Sequence, residues 1–268
     1  MTTQNTRIDI GGRTYVMSSD DAYLDGFSEG FEPDMVRLFR AVVPSGAVAF
    51  DIGANVGCTT LLFATIAQHV YAFEPSPSTF SFLQRNIARS ALANISPFNL
   101  GMGAETAELT LTFARSNRSG GFVSNRMTAS AGHVVEKITI STLDMFMASE
   151  NIRRLDFIKI DVEGFEGYVL KGAQAALAAH RPIVVLELNH WCLNAFQRTS
   201  VPDFFDQLRA IFPLLYAVDG ATYLDLLRSN ESYHVMYHHI LRGRYPNILG
   251  GFEENQVARF HASFAHRA

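Results

Sequence analysis

The sequence predicts an α/β protein: an open, mostly parallel, doubly wound sheet with helices on both faces, a β-ribbon insertion and a small N-terminal cap. Three observations lead there. Val48 to Pro75 reads as strand, glycine loop, helix and second strand. Strand-length apolar runs then alternate with helix-spaced segments through the rest of the chain. The run from Pro182 to Leu188 is apolar almost throughout, as expected of a strand in the middle of a parallel sheet.

In chain order, Arg7 to Met17 alternates around Gly11-Gly12 and predicts a hairpin. Asp34 to Val43 places Met35, Leu38, Phe39 and Val42 on one helical face, with Pro33 suited to the first turn. Residues 1–44 are therefore expected to form a hairpin-and-helix cap, and 45–268 the main domain. Phe27, Phe31 and Glu32 are expected at the cap's surface, the other placement being one wall of the ligand crevice. Val48 to Ile52 and Val70 to Phe73 are the first two strands of the main domain, joined by a buried helix from Thr59 to Ala67. Ser76-Pro77, a hydroxyl cap followed by proline, opens a helix that buries Phe80, Leu83 and Ile87 and ends near Arg89.

Ile95 to Leu100 is the third strand. Glu108 to Phe113 and Val134 to Ile140 alternate and predict a β-ribbon. Its tip, Ala114 to His133, carries Arg115, Arg118 and Arg126 and is expected near the pocket mouth or free in solvent. Phe157 to Asp161 is the fourth strand, and Phe165 to Ala179 one helix behind it. After the strand at Pro182 to Leu188 come a helix from Val201 to Ile211 and a strand from Phe212 to Val218. Tyr233 to Leu241 is expected to be the last, antiparallel strand, and Gly250 to Ala268 weakly helical. No internal repeat or long linker interrupts the chain.

Composition narrows the function. Nearly half the residues are hydrophobic and the charged fraction is ordinary, so the chain is globular and long enough for a large core. A net charge of −4 without a Lys/Arg run argues against nucleic acid as partner. Cys58 and Cys192 fit no zinc spacing and are expected to be buried and unpaired. The polar N-terminus lacks the apolar core of a secretory signal, and no run is long enough to span a membrane, which together predict a cytoplasmic protein.

In an open sheet of this kind ligands bind at the carboxyl ends of the strands. That rule gathers Asp51, Glu74, Leu100 to Gly103, Asp161 with Glu163, and Glu187 to His190 around one crevice. Asp51 precedes Gly53-Ala54-Asn55-Val56-Gly57, and Glu74 stands about 20 residues on, where an acid takes both hydroxyls of a ribose. The loop has neither the third glycine of a dinucleotide site nor a Lys or Arg facing phosphate. S-adenosylmethionine, a nucleoside with an amino-acid tail, fits better, since it needs a carboxylate for its ammonium and bare backbone beside the ribose.

Three blocks make the reading specific. Asp51-Ile-Gly-Ala-Asn-Val-Gly57, Phe73-Glu-Pro-Ser-Pro77 and Phe157-Ile-Lys-Ile-Asp-Val-Glu-Gly-Phe-Glu166 resemble the FkbM family of S-adenosylmethionine-dependent methyltransferases, over roughly Ser45 to Asn189. The resemblance implies a Rossmann-like class I methyltransferase fold, S-adenosylmethionine as cofactor, and a sugar, polyketide or related acceptor. It implies cofactor contacts from Asp51, Gly53, Ala54, Asn55, Gly57 and Thr59. Glu74, Pro75 and Ser76 would follow at the second strand, Met102 at the third, and Asp161 at the methionine end.

Transfer to an oxygen needs a base for the hydroxyl proton or a metal that lowers its pKa. The candidate bases are Asp161, Glu163, Glu187 and His190, with Glu163 placed toward the acceptor. Glu163 has a competing role as cap of the helix opening near Phe165, and His190 one as a partly buried surface residue. Lys159, on an otherwise apolar strand, is expected to pair with an acid. The leading reading needs no metal; a variant puts magnesium between Asp161, Glu187 and Asn189. N-methylation, an NAD-dependent oxidoreductase and a non-catalytic cofactor-binding module are the competing functions. The first is disfavoured because Asp161-Val-Glu-Gly164 stands where an Asn/Asp-Pro-Pro-aromatic motif would be.

Overall fold

A computed structural model of the chain describes residues 3–124, 127 and 129–267. Arg126 of the ribbon tip lies outside the described residues. The chain opens with an antiparallel hairpin of β1 (Gln4–Ile10) and β2 (Arg13–Ser19), followed by helix α1 (Pro33–Val42). Next come β3 (Val48–Ile52), α2 (Cys58–Ala64), β4 (His69–Phe73), α3 (Pro77–Ser90) and β5 (Ile95–Phe98). The insertion comprises β6 (Gly101–Met102), β7 (Ala107–Ala114), β8 (Asn117–Val123) and β9 (His133–Ser141), and leads into α4 (Leu143–Ser149). β10 (Phe157–Ile160), α5 (Glu166–Lys171), α6 (Gln174–His180) and β11 (Ile183–Glu187) restore the alternation. The last third holds α7 (His190–Gln197), α8 (Val201–Arg209), β12 (Leu214–Asp219) and β13 (Thr222–Asp225). It ends in α9 (Ser229–Arg242), β14 (Asn247–Gly251), α10 (Glu254–Ser263) and β15 (Ala265–His266).

The main sheet runs β15-β13-β12-β14-β11-β10-β3-β4-β5. β11 through β5 are mutually parallel, and β14 pairs antiparallel with both β11 and β12. This is an α/β, Rossmann-like arrangement, with the chain progressing outward in opposite directions from β3 and β10. The switch point therefore falls between those two strands, where their carboxyl ends part and leave a crevice. Pro97 stands in β5, the edge strand, where a missing N–H is tolerated.

Alternation along each strand feeds two cores. On one face Ala49, Phe157 and Val185 pack with Phe39 of α1 and Phe63 of α2, the Phe39 ring standing edge-on to Phe63 at 4.8 Å. On the other, Phe50, Phe73 and Phe98 receive Phe146 of α4, whose ring meets Phe73 and Phe98 edge-on at 4.8 Å each. The N-terminal hairpin joins the first core through Ile8, Ile10 and Met17. The Asn86 side chain of α3 accepts from Ser18 N–H (2.8 Å) and donates to the Ser18 carbonyl (3.1 Å), pinning β2 to the domain.

Sequence signals set the helix ends. Ser76 accepts from Thr79 N–H at 3.1 Å, with Pro77 next in line. Ser200 and Asp203 form a capping box on α8.

Four expectations need correction. Tyr233 to Leu241 is helical, inside α9, and the antiparallel strand is β14. The residues α9 buries, Glu231, Ser232, Val235 and His239, recur at helical spacing but are mostly polar, which hid the period. The single helix expected over 165–179 breaks into α5 and α6 at Gly172, where a Cβ would lie 1.9 Å from the Gly103 carbonyl oxygen. The ribbon is wider than expected, because β8 pairs with β7 and β6 pairs with β9 to make four strands. Finally, β11 is the last of the parallel strands and has an antiparallel neighbour.

Candidate active site

The register of the sheet places the first ionic group. Lys159 on β10 and Asp51 on β3 are ladder partners, so their side chains leave the same face side by side. Lys159 is 3% exposed. Its Nζ donates to the Gly53 carbonyl at 2.8 Å and lies 3.2 Å from Asp161 Oδ2 and 3.6 Å from Asp51 Oδ1. Burial alone would lower its pKa, but the Asp161 and Asp51 carboxylates outweigh that and hold the ammonium above the ordinary lysine value. One buried cation thus ties together both strand tips and the glycine loop. Asp51 is fully buried, and its Oδ2 accepts from the Thr59 and Thr60 hydroxyls at 2.8 and 2.5 Å. It braces the loop from beneath.

The loop needs its unusual backbone. Gly53, Asn55 and Gly57 take φ values of +81°, +49° and +103°. A Cβ on Gly53 would sit 1.9 Å from the Asp161 carbonyl oxygen, so the loop and the β10 tip approach as only glycine permits. Gly53 and Ala54 N–H donate to the Phe73 carbonyl at 3.0 and 2.9 Å. Glu74, at the tip of β4, accepts from Asn55 N–H (3.0 Å) through Oε2 and from Ser76 N–H (2.9 Å) through Oε1. Burial pushes its pKa up to about 7 against the lowering effect of those two bonds. Each oxygen keeps a lone pair, so the carboxyl can still receive two hydroxyls.

Above these residues opens a crevice of about 310 Å³. Gly53, Ala54, Asn55, Thr59, Glu74, Pro75, Met102 and Asp161 line it, as does Glu163. Gly57, Ser76 and Asp51 stand behind the lining, bonded to the loop or helix starts that form it. The cap and the ribbon also contribute. Tyr23, Phe31, Glu32 and Met35 close one side, so Phe31 and Glu32 face the crevice and not the outer surface expected for them. Phe27 backs Phe31 edge-on at 5.2 Å. Arg118, Ser119, Gly121 and Val123 of β8 reach over the mouth, and Pro246 with Asn247 enters from the start of β14.

Glu163 takes φ +53° and Gly164 φ +92°, a sharp reversal that leads the chain from β10 into α5. Glu163 Oε2 accepts from Asn189 Nδ2 at 3.1 Å and from Cys192 Sγ at 3.0 Å. Burial pushes its pKa up to about 7, with repulsion from Asp161 adding to it. Glu163 does not cap a helix: α5 has no side-chain cap at its start, and Glu166 Oε1 accepts from Val162 N–H (3.1 Å) and Gly164 N–H (3.2 Å) in the turn before it. Glu187 completes the acidic end. Burial, then the neighbouring Asp161 and Glu163, push its pKa well above the ordinary range, and its buried Oε2 has no hydrogen-bond partner.

The structure does not bring His190 to this group. His190 opens α7, and its ring stands edge-on to His239 at 5.0 Å. Its backbone N–H donates to His239 Nε2 (3.2 Å), while His239 Nδ1 donates to the Arg244 carbonyl (2.7 Å). His239 is therefore the neutral tautomer with both nitrogens engaged, consistent with burial lowering its pKa. Together the two histidines form a joint between α7 and α9.

Asn189 Oδ1 caps α7 by accepting from Cys192 N–H at 3.2 Å, and its Nδ2 is spent on Glu163. The amide is thus committed on both sides, which takes one ligand from the magnesium variant. Among the described residues no group of three or more His, Cys, Asp or Glu is arranged to hold a metal ion. Cys58 and Cys192 are buried and free. Among the described residues no helix is long and apolar enough to cross a membrane.

S-adenosylmethionine carries a sulfonium and an ammonium, and the lining suits such a cation. Glu32, Glu74, Asp161, Glu163 and Glu187 face the crevice, whereas the lining cations Lys159 and Arg118 are both already paired. Asn55, which also lines the crevice, has a buried Oδ1 without a hydrogen-bond partner.

A family model described as the methyltransferase FkbM domain matches residues 51–221. The chain is 30% identical over 159 residues to a hexuronic acid methyltransferase, AglP, of Haloferax volcanii, covering 58% of this chain and 61% of that one. It is 31% identical over 150 residues to methyltransferase 1 of Beauveria bassiana, covering 49% and 60%. The chain thus spans about three-fifths of the length of these relatives. A crystal structure of an FkbM methyltransferase from Methylobacillus flagellatus KT superposes with a TM-score of 0.48 at 20% identity, over 70% of this chain and 44% of that one.

Proposed function

The chain belongs to the FkbM methyltransferase family, and from that premise we propose that it transfers the methyl group of S-adenosylmethionine to a hydroxyl of a sugar or related small molecule. The observation that carries the cofactor is the acidic crevice at the switch point, whose two cations are already neutralised by Asp51, Asp161 and Asp20. A pyrophosphate would find no free cation there among the described residues, while a sulfonium with an ammonium finds carboxylates. The sugar acceptor is supported by the name of the Haloferax relative.

In this reading Glu74 takes the ribose hydroxyls, and Gly53 to Asn55 offer bare backbone beside them. Asp161, 3.2 Å from Lys159 Nζ and lining the crevice, takes the ammonium of the methionine tail. Residues 1–44 act as a cap, with Tyr23, Phe31, Glu32 and Met35 excluding water from that side. The cofactor supplies a methyl carbon made electrophilic by its sulfonium. The chain supplies alignment and a proton acceptor. Glu163 is that acceptor: its Oε2 is fixed by Asn189 and Cys192, leaving Oε1 for the hydroxyl proton. His190 is not assigned this role, because it packs on His239 outside the crevice lining.

Two expected outcomes follow from these roles. A base pushed up to about 7 must lose its proton to work, so turnover rises with pH through about 7 and falls about tenfold per unit below it. A flat profile between pH 5 and 8 would remove Glu163 from the role. Glu74→Ala removes the ribose contact and leaves Asn55 and Ser76 N–H without their acceptor. S-adenosylhomocysteine affinity should drop by roughly 1.5–3 kcal/mol. Calorimetry finding unchanged affinity would refute the assignment. Cofactor class is tested by titrating the wild-type protein with S-adenosylhomocysteine and with NAD. The first should bind and stabilise the fold, and binding of NAD alone would overturn the proposal.

A further inference from the structure

Strand β8 faces two ways. Gly121 and Val123 line the crevice, while Phe122 between them turns to the opposite side and meets α7. Its ring stacks on Phe196 with centroids 4.0 Å apart and planes at 9°, and Cys192 completes this buried cluster. Hydrogen bonds fix the same junction: Gln197 Nε2 donates to the Val123 carbonyl at 2.8 Å, and Ser124 Oγ to the Phe196 carbonyl at 3.1 Å. Covering the crevice mouth accounts for Gly121 and Val123 and leaves Phe122 without a task.

Cys192 carries that packing to the crevice. Its Sγ lies 3.0 Å from Glu163 Oε2, the same oxygen that accepts from Asn189 Nδ2 at 3.1 Å. Burial, and then the Glu163 carboxylate, push the thiol up, so it stays protonated and is the donor in this contact. The backbone is as close as the side chain: a Cβ on Gly164 would lie 2.8 Å from the Cys192 carbonyl carbon. The turn that bears Glu163 therefore rests directly on the first turn of α7. Two donors on one oxygen fix the plane of the carboxyl and favour its charged form. The other titratable groups facing Glu163 are Asp161, which opposes that charge, Lys159, which favours it, and Glu187 at the end of β11. Glu187 and Glu166 of α5 add to the negative field that keeps the thiol protonated.

Resting on the reading of Glu163 as the base, we propose that Cys192 is a positioning residue for methyl transfer, its S–H orienting the Glu163 carboxyl, and that Phe122 acts through it. The ribbon insertion is thus part of what presents the base to the acceptor hydroxyl. Oε2 takes the thiol and the amide, the stacked rings of Phe122 and Phe196 keep water from the thiol, and Oε1 turns to the acceptor.

The first readout needs no acceptor. In protein labelled with carbon-13 glutamate and saturated with S-adenosylhomocysteine, the Glu163 carboxyl signal is the one lost in Glu163→Gln, and it should titrate near pH 7 by NMR. Cys192→Ala removes one donor to the charged form and should move that midpoint up by about half a pH unit or more, while Cys192→Ser keeps a donor and should hold it within about 0.3. In methyl transfer to a panel of methyl glycosides, Cys192→Ala and Phe122→Ala should each lower kcat about tenfold, with KM and S-adenosylhomocysteine affinity within about threefold of the wild type. The serine variant should recover most of the rate. A serine variant as impaired as the alanine one, or a loss of cofactor affinity in step with kcat, overturns the proposal. If Cys192→Ala does not fold, Phe122→Ala decides, since wild-type turnover in it overturns the proposal as well. An inactive Glu163→Gln beside a Cys192→Ala with wild-type midpoint and turnover would remove Cys192 from the role and leave the base reading standing. A midpoint that moves as expected beside an active Glu163→Gln would contradict the base reading and leave the link between thiol and carboxyl standing.

Discussion

Gly53→Val is expected to abolish S-adenosylhomocysteine binding and to lower the stability of the unliganded protein. The loop and the tip of β10 touch at this point: a Cβ would lie 1.9 Å from the Asp161 carbonyl oxygen, with Val162 Cγ1 at 3.3 Å. Valine also resists the φ of +81° that the loop requires. Relief would demand moving the loop away from β10. That motion would break the Lys159 bond to the Gly53 carbonyl and displace Asp161. Overpacking and backbone strain together should cost at least about 2 kcal/mol. Thermal denaturation and calorimetry check both halves. A variant with wild-type melting temperature and affinity would mean that the close approach is not needed.

Glu163→Gln should cut turnover by about 10²–10⁴-fold, the usual contribution of a positioned general base. Affinity for S-adenosylhomocysteine should stay within about threefold, because the cofactor contacts are proposed to fall to Asp161 and Glu74. The fold should also hold: Glu163 makes no helix-capping bond, and glutamine can still accept from Asn189. The rise of rate through pH 7 should vanish with the carboxyl. His190→Ala is the matched control and should keep most of the activity, since its ring lies against His239. If the histidine variant were dead and the glutamine variant active, the base would be on α7.

Where core residues repeat with a clear period, the fold was legible in the sequence. β3, β4, β10 and β11 lie within apolar runs, and α3 starts at the Ser76-Pro77 cap that announces it. Their carboxyl ends supplied the part of the crevice proposed for the cofactor, because open-sheet topology fixes where the ends meet. Legibility failed where burial and polarity part company. α9 buries Glu231, Ser232 and His239 and exposes Tyr233, Tyr237 and Leu241, so its hydrophobic pattern is inverted. The break between α5 and α6 depends on Gly172 meeting Gly103, a contact between distant segments that no local pattern encodes. The same holds for the acceptor half. Asn247 reaches the crevice through the pairing of β14 with β11, and Arg118 through the folding of the ribbon onto Asp20. Lys159 did carry a signal: a lone cation on a buried apolar strand must meet an acid, and the β3–β10 register makes that acid Asp51, with Asp161 beyond it.

The central claim is methyl transfer from S-adenosylmethionine to an oxygen. The most direct measurement is incubation of the protein with methyl-labelled S-adenosylmethionine and a panel of hydroxylated sugars, with the labelled position in the product identified by NMR and mass spectrometry. The result expected is a labelled methoxy group on a sugar carbon, absent with Glu163→Gln. A labelled N-methyl group, or unreacted sugars beside a protein that binds S-adenosylhomocysteine, would contradict it.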